Sequence, residues 1–189
     1  MRWQTQAPVT SRRQRRLLRA SGSLAFCLLA FAILYLSSSS PAWAVTMTAD
    51  PKGFEGIPWG AALAEAPTFP RTYSGDRIAE YQLKQERLLL GTVPVLSMKF
   101  ATVDGQFARV TVRYQGAPQH DALLRYLQAR YGPLDLTPGQ TMAGANQQYN
   151  WRGPETEINI TYDGEQEAGV VFFESRALGA KFAEVMSGF

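Results

Sequence analysis

The sequence contains a single histidine, the residue type that most often moves protons near neutral pH. His120 is followed directly by Asp121 in a segment that predicts the first turn of a helix. Neighbouring residues on a helix point about 100° apart, so Asp121 is badly placed to orient the imidazole ring as a catalytic triad requires. We expect His120 to be a solvated surface residue, and the sequence identifies no catalytic residue.

Acidic residues cluster between positions 155 and 174, and a pair of carboxylates is sufficient for glycoside hydrolysis. Most of them fall in predicted turns or on a predicted polar strand face, which is typical of a solvated surface. Four of them also match positions 1, 3, 5 and 12 of a calcium loop: Asp163, Glu165, Glu167 and Glu174. The glycine required at position 6 is replaced by Ala168, and residues 170–173 favour a strand. The sequence therefore predicts no metal site and no cofactor.

The best candidates for binding are two arginines and two aromatic residues. Arg109 and Arg113 share the polar face of one predicted strand, and Tyr149 and Trp151 share one face of another. Arginines hold anionic groups through charge-assisted hydrogen bonds, and aromatic rings anchor binding surfaces. In the competing interpretation, the arginines pair with Glu157 and its neighbours and the rings belong to the core. The predicted binding site consists of Arg109, Arg113, Tyr149 and Trp151.

Residues 1–44 have the three parts of a secretory signal peptide. Several arginines precede an apolar run at 24–36, and serines and the small-residue pattern Ala42-Trp43-Ala44 follow it. The run is short against the roughly 20 residues of a membrane-spanning helix. We therefore expect Sec-type export, cleavage after Ala44, and a periplasmic or secreted protein without a stable membrane span. Twin-arginine export, suggested by Arg12-Arg13, and an uncleaved anchor are the alternatives.

Removing this leader changes the charge and the cysteine content of the protein. Six of the 19 basic residues and none of the 16 acidic residues lie in it, which leaves 13 bases, 16 acids and a formal charge of −3. A net-acidic domain lacks the concentrated basic surface that nucleic-acid binding requires. The single cysteine, Cys27, also lies in the leader, so the mature domain has no disulfide, thiolate nucleophile or cysteine metal ligand.

Alternating apolar and polar residues on both sides of Asp104-Gly105 predict a β-hairpin. A two-residue loop would place Val110 opposite Lys99, an apolar side chain opposite a charge. A three-residue loop over 103–105 pairs Met98 with Val110 and Phe100 with Ala108 instead. The pattern therefore predicts the three-residue loop, with Gly105 as a bulge.

Helical spacing predicts a long helix from Pro118 to Tyr131 that ends at Gly132. Shorter helices are predicted over 61–66 and 178–186. Strands are predicted over 78–86, 96–101, 108–114, 147–152, 158–162 and 170–173. The apolar run at 170–173 has no polar face, so it is either covered on both sides or exposed to a partner.

Strands that follow one another in runs are typical of an α+β fold with an antiparallel sheet. We expect about six strands in two meanders, with the helices packed on one face in a two-layer arrangement. Polar residues should line the other face, namely Ser97, Lys99, Arg109, Thr111, Arg113, Asn159 and Thr161. The predicted organisation is a cleaved leader at 1–44, a flexible segment at 45–56 and a single domain at 57–189.

Short motifs spread from about residue 54 to 176 resemble a class of small exported bacterial domains that has no established biochemical function. They are Gly56-Ile57-Pro58-Trp59-Gly60, Met98-Lys99-Phe100, Asp104-Gly105, 109–112, 123–133, Tyr149-Asn150-Trp151 and 171–175. The pattern of helix and meander is also similar in outline to β-lactamase-inhibitor-like domains and to small outer-membrane assembly lipoproteins. Those proteins use such sheets to bind other proteins. This chain lacks the disulfides of the inhibitors and the modifiable cysteine of the lipoproteins, so the resemblance implies a fold but no activity.

The sequence therefore predicts an exported, non-catalytic binding or accessory protein that contacts an envelope protein. It would use its open sheet face or the strand at 170–173. An inhibitor of an extracytoplasmic enzyme and an envelope hydrolase that uses carboxylates are the alternatives. The hydrolase would require two acids with displaced pKa values in one cleft.

Overall fold

The structure is a computed structural model that describes residues 45–134 and 145–187. The predicted signal peptide at 1–44 lies outside the described residues. The strands are β1 (Val45–Thr46), β2 (Gly53–Phe54), β3 (Ile57–Pro58), β4 (Arg71–Ser74), β5 (Ile78–Gln82), β6 (Leu89–Leu90), β7 (Val93–Pro94), β8 (Ser97–Val103), β9 (Gln106–Gln115), β10 (Asn146–Arg152), β11 (Thr156–Asp163) and β12 (Ala168–Ser175). The helices are α1 (Ala117–Tyr131) and α2 (Arg176–Ser187).

Seven antiparallel strands form the main sheet in the order β10-β11-β12-β9-β8-β5-β4, and the two-residue β1 pairs in parallel with β10. The first meander contains β4, β5, β8 and β9, and the second contains β10, β11 and β12. The α+β class is confirmed, but the expected number of about six strands is wrong. Of these seven strands, the sequence missed only β4, whose four residues are all exposed and show no apolar alternation.

The central hairpin differs from its predicted register. Phe100 pairs with Val110, not with Ala108, and the loop consists of Asp104 and Gly105 alone. Both loop residues have positive φ, 49° and 77°, as a tight hairpin turn requires. The irregularity lies further along the strands, between Ala101 and Thr102. Beyond this irregularity the register differs from the prediction by two residues, so those side chains keep their predicted faces, whereas Ala108 lies on the face opposite Val110.

Helix α1 covers the apolar face of the sheet. It begins at Ala117, one residue before the predicted start, and ends at Tyr131 as predicted. Gly132 follows with a φ of 116°. Its buried residues Leu123, Leu127 and Tyr131 join the large hydrophobic core that contains Val110. The predicted long helix is therefore confirmed, together with the apolar stripe that it buries.

Helix α2 contacts the opposite face. Its buried residue Phe182 packs with a second cluster that includes Ala101 and Ala108. Ala101 pairs in register with Arg109, on the face away from Val110. The two helices therefore do not share the one face that the sequence predicts. The small alanine side chains at the strand irregularity leave space for the Phe182 ring, which explains why this helix packs there.

One segment before β4 differs from its prediction, and the N-terminal segment makes backbone hydrogen bonds to the domain. Residues 61–66, predicted as a short helix, have no regular secondary structure. The carbonyl of Ala61 accepts a hydrogen bond from the backbone N–H of Phe107 at 2.9 Å, so it is not used within a helix. Residues 45–56, predicted to be flexible, lie against the domain. The backbone N–H groups of Met47 and Thr48 donate to Arg152 (3.2 Å) and Tyr131 (3.0 Å).

Candidate functional site

The sheet face opposite α1 carries the polar residues that the sequence assigns to one surface. Their strand register places them in rows across β9, β12, β11 and β10, and the prediction that they share a face is confirmed. We call this surface the open face. Its three rows are Arg113-Val170-Thr161-Gln148, Thr111-Phe172-Asn159-Asn150 and Arg109-Glu174-Glu157-Arg152.

Arg109 is already engaged within the protein. Its Nη2 donates to the Glu174 carboxylate at 2.7 Å, and its guanidinium lies 4.4 Å from the ring centre of Phe182 and 5.4 Å from that of Phe172. Cations over aromatic rings and charge-assisted hydrogen bonds both stabilise such a position. Arg109 therefore joins α2 to the sheet and is not available as an anion-binding group. The competing interpretation of a paired arginine fits this residue, although the partner is Glu174.

Arg113 differs from Arg109, because its side chain is exposed. It lines a depression of about 470 Å³ with Gln148, Thr161 and Val170. A second depression of about 320 Å³ contains Asn159 and Phe172. Gln148 and Thr161 line both depressions, so together these form one elongated concave surface on the open face. Of the two predicted arginines, only Arg113 contributes a free charge to this surface.

The two predicted aromatic residues do not belong to this surface. Trp151 has no exposed area, and its indole Nε1 donates to the Gly132 carbonyl at 2.9 Å. Tyr149 is also buried, and its hydroxyl donates to Gln147 at 2.8 Å. Both side chains point into the core beneath α1, because they occupy the inward positions of β10. Their assignment to a binding surface is corrected, since a buried ring cannot contact a ligand.

Two asparagines on the open face were not among the residues predicted for the binding site, although Asn159 was predicted to lie on this face. Asn150 and Asn159 pair across β10 and β11, and the Oδ1 atoms of both are buried and accept no hydrogen bond from the described residues. A buried acceptor without a donor costs about 1–3 kcal/mol of stability. The signal available in the sequence was the asparagine type itself, which is depleted in strands.

His120 is buried rather than solvated, which corrects the sequence-based expectation. Its ring stacks on Tyr162 with 4.3 Å between the ring centres. Its Nδ1 lies 2.7 Å from the Tyr114 hydroxyl, and its Nε2 lies 3.1 Å from the Gln147 Oε1. The period of α1 turns the side chain inward at this position, where β9 and β10 supply polar partners.

The hydrogen bonds around His120 fix its tautomer. Gln147 Oε1 is an acceptor, so the histidine Nε2 carries the proton. Nδ1 then accepts from the Tyr114 hydroxyl, which lies closer to Nδ1 (2.7 Å) than to its other acceptor, the Thr161 carbonyl (3.1 Å). Burial lowers the pKa of His120 below its usual value of 6.5, and this outweighs the opposite effects of Gln147 and Asp121. The ring is therefore neutral at pH 7 and has the role of a buried structural histidine.

We expect the protein to become less stable as the pH falls below about 6.5. The unfolded chain binds the His120 proton more tightly than the folded protein does. The free energy of unfolding therefore decreases as the pH falls from the pKa of the unfolded chain to that of the folded protein. A tenfold weaker proton affinity in the folded state corresponds to about 1.4 kcal/mol. Because the chain has one histidine, an NMR titration of its ring protons measures this pKa directly. A value at or above 6.5 would contradict the assignment.

The acidic residues serve as hydrogen-bond acceptors and ion-pair partners. Asp163 accepts the backbone N–H groups of Glu165 and Gln166 at 2.9 and 3.1 Å, while Glu174 binds Arg109. The residues whose spacing matches the start of a calcium loop therefore form a turn between β11 and β12. Within residues 45–134 and 145–187, no group of three His, Cys, Asp or Glu side chains could hold a metal ion.

The carboxylates of Asp50 and Asp104 both have a lowered pKa. For Asp50, burial acts in the opposite direction but is outweighed by hydrogen bonds from Thr156, Glu155 and Lys52. For Asp104, Arg77 and then Lys181 hold the pKa far below its usual range. Groups that are ionised so firmly accept hydrogen bonds and do not act as proton donors at neutral pH.

The described part of the chain contains no helix that is both long and apolar enough to cross a membrane. Comparison of the sequence with protein families and with curated proteins gives no match. Comparison with solved structures also gives no match.

Proposed function

We propose that this chain is an exported, non-catalytic binding protein that acts in the periplasm or outside the cell. The signal-peptide pattern of residues 1–44 supports the location. The binding role is supported by the elongated concave surface of the open face, which α1 does not cover. The proposed location also agrees with the resemblance to small exported bacterial domains.

The partner that fits the open face best is another protein. The observation that carries this proposal is the elongated concave surface, in which the exposed side chains of Arg113 and Gln148 lie beside the half-buried side chains of Val170 and Phe172. A polypeptide supplies polar groups and apolar side chains together. The elongated shape of the two joined depressions is also better matched by an extended segment than by a compact small molecule.

The strand β12 contributes side chains to this surface, not a free edge. It lies between β11 and β9 in the middle of the sheet, so its backbone hydrogen bonds are already formed. Val171 and Phe173 are buried in the core, and Val170 and Phe172 face the open side. Partner recognition at this strand would therefore use side-chain contacts and not strand addition.

We expect a photo-crosslinking residue placed at Gln148 to capture one defined partner in envelope preparations of cells that express the full chain. Gln148 is exposed and lines both depressions, so a bound polypeptide would lie within reach. The control carries the same crosslinker at Arg125, an exposed position on α1. The products are separated by electrophoresis and identified by mass spectrometry.

A charge reversal makes this experiment more selective. Arg113→Glu should remove most of the crosslink formed from Gln148, because Arg113 lines the open face. Arg125→Glu should leave the crosslink unchanged, because Arg125 is an exposed arginine that lies outside this face. Equal crosslinking from positions 148 and 125 would contradict the proposal, and so would an unchanged crosslink in the Arg113→Glu variant.

A further inference from the structure

A separate pocket of about 470 Å³ lies on the α1 side of the sheet, away from the open face. It is enclosed by elements distant in sequence, namely β2 and β3, the β6–β7 hairpin, strand β8 and helix α1. We call it the aromatic pocket. The residues that define it here are Phe54, Phe69, Leu83, Leu89, Phe100 and Tyr126. Its volume falls within the roughly 300–1,000 Å³ of typical small-ligand sites.

The floor of the aromatic pocket is apolar and consists of rings in mutual contact. The ring of Phe100 contacts the edges of Phe69 and Phe54, with 4.9 and 5.7 Å between the ring centres. Phe69 also stacks on Tyr81 at 5.3 Å, outside the pocket lining. Such a network of rings holds its shape without a ligand, so little ordering entropy opposes binding.

The walls of the pocket expose apolar side chains that the fold leaves uncovered. Leu89 is 40% exposed, and Leu83 and Phe69 are half-buried. Water in contact with these side chains finds few hydrogen-bond partners, so an apolar molecule that displaces it gains free energy. The hydrophobic effect is worth about 25 cal/mol for each Å² of apolar surface that is covered.

The β6–β7 turn and helix α1 approach each other closely beside the pocket. Gly91, in the β6–β7 turn, lies directly under the Tyr126 ring, so that a Cβ atom at this position would overlap it. Gly91 also has a φ of 62°, which favours glycine. The turn and the helix are therefore held together, and Tyr126 forms a preformed side of the pocket.

The mouth of the pocket carries two opposite charges. Arg130 and Glu55 both line it, and Arg130 Nη1 donates to the Tyr126 hydroxyl at 3.1 Å. The positive and negative groups offset one another, so neither an anion nor a cation is strongly selected at the entrance. The charge distribution thus favours a ligand without net charge.

We propose that the aromatic pocket binds a small, uncharged and predominantly apolar molecule. Three observations on the pocket carry this inference, namely the aromatic floor, the uncovered apolar walls and the balanced charges of the mouth. The inference does not depend on the protein partner proposed for the open face, because the two surfaces lie on opposite sides of the sheet. The protein would then combine a small-ligand site with a separate protein-binding surface.

The test uses protein purified from the envelope of cells that express the full chain, and the uncharged fluorescent probe N-phenyl-1-naphthylamine. We expect a saturable rise in fluorescence with one probe bound for each chain. Leu89→Lys places a charge in the apolar wall and should weaken binding about tenfold or more. Leu96→Lys is the matched control, because Leu96 is 63% exposed and lies outside the pocket.

A displacement series then tests the class of ligand. Decanol, decanoate and decylammonium share one chain length, and we expect decanol to displace the probe most effectively. Non-saturable fluorescence, equal loss in the Leu89→Lys and Leu96→Lys variants, or no loss in either would overturn the proposed site. Stronger displacement by either charged compound would overturn the proposed ligand class. None of these results depends on the crosslinking from Gln148, so failure of one proposal is distinguishable from failure of the other.

Discussion

Replacing Trp151 with alanine will lower the free energy of unfolding by about 3–5 kcal/mol. The side chain is completely buried, so its removal leaves a large cavity between β10 and α1. The change also removes the hydrogen bond from the indole Nε1 to the Gly132 carbonyl, and that acceptor then remains buried without a donor. Since small domains are stable by only about 5–15 kcal/mol, this is among the largest effects of a single substitution.

The loss is measured by urea unfolding followed by far-ultraviolet circular dichroism, which does not depend on tryptophan fluorescence. Trp151→Phe should lose distinctly less stability than Trp151→Ala, because phenylalanine keeps much of the buried ring. Tyr73→Ala is a control at an aromatic residue that is 46% exposed on β4, and it should change the stability by less than about 0.5 kcal/mol. A Trp151→Ala variant as stable as the parent protein would show that this ring is not part of the core.

Replacing Gly169 with alanine is the second change with a large expected effect, about 3 kcal/mol of lost stability. Gly169 pairs with Tyr114 across β12 and β9, and an added Cβ atom would overlap the Cζ and Oη atoms of that ring. The ring cannot move away freely, because its hydroxyl lies 2.7 Å from His120 Nδ1. One methyl group therefore disturbs both the core packing and the buried hydrogen-bond network.

Gly179→Ala is the matched control for Gly169→Ala, because it also adds one methyl group. Gly179 lies within α2, and its added Cβ atom would meet the carboxylate end of Glu174, the partner of Arg109, at 3.2 Å, so this side chain must move by only a few tenths of an ångström. Alanine is favoured over glycine inside a helix by about 1 kcal/mol, so this variant should be unchanged or slightly more stable. The His120 ring resonances should shift in Gly169→Ala and stay in place in Gly179→Ala. Similar stabilities for the two variants would refute the steric argument.

The sequence by itself determined the local structure of most elements. The alternation in β8, β9 and β11 predicted which side chains share a face. Beyond the strand irregularity, that assignment survived a two-residue error in the hairpin register, because an even displacement preserves the faces. The apolar stripe and the flanking Pro118 and Gly132 predicted α1 almost to its ends. These features depend on residues close together in the chain, so a local pattern is sufficient to predict them.

The candidate site was predicted only in part. Arg113 lies on the open face as expected, but Arg109 is held by Glu174 and by Phe182 of α2. Tyr149 and Trp151 were expected at the surface and are core residues. The period of a strand shows that two residues share a face, but it does not show which face is covered. That requires knowing which helix packs on each side.

Only the tertiary structure decided which elements become neighbours. It placed β12 in the centre of the sheet, α2 on the face opposite α1, and His120 among residues of β9 and β10. It also assembled the aromatic pocket from segments separated by many residues. Each of these contacts is selected by the packing of the whole core, where surfaces that are far apart in sequence must fit together. The sequence thus determined the faces of the individual elements, and the packing of the core determined which of those faces were buried and which formed sites.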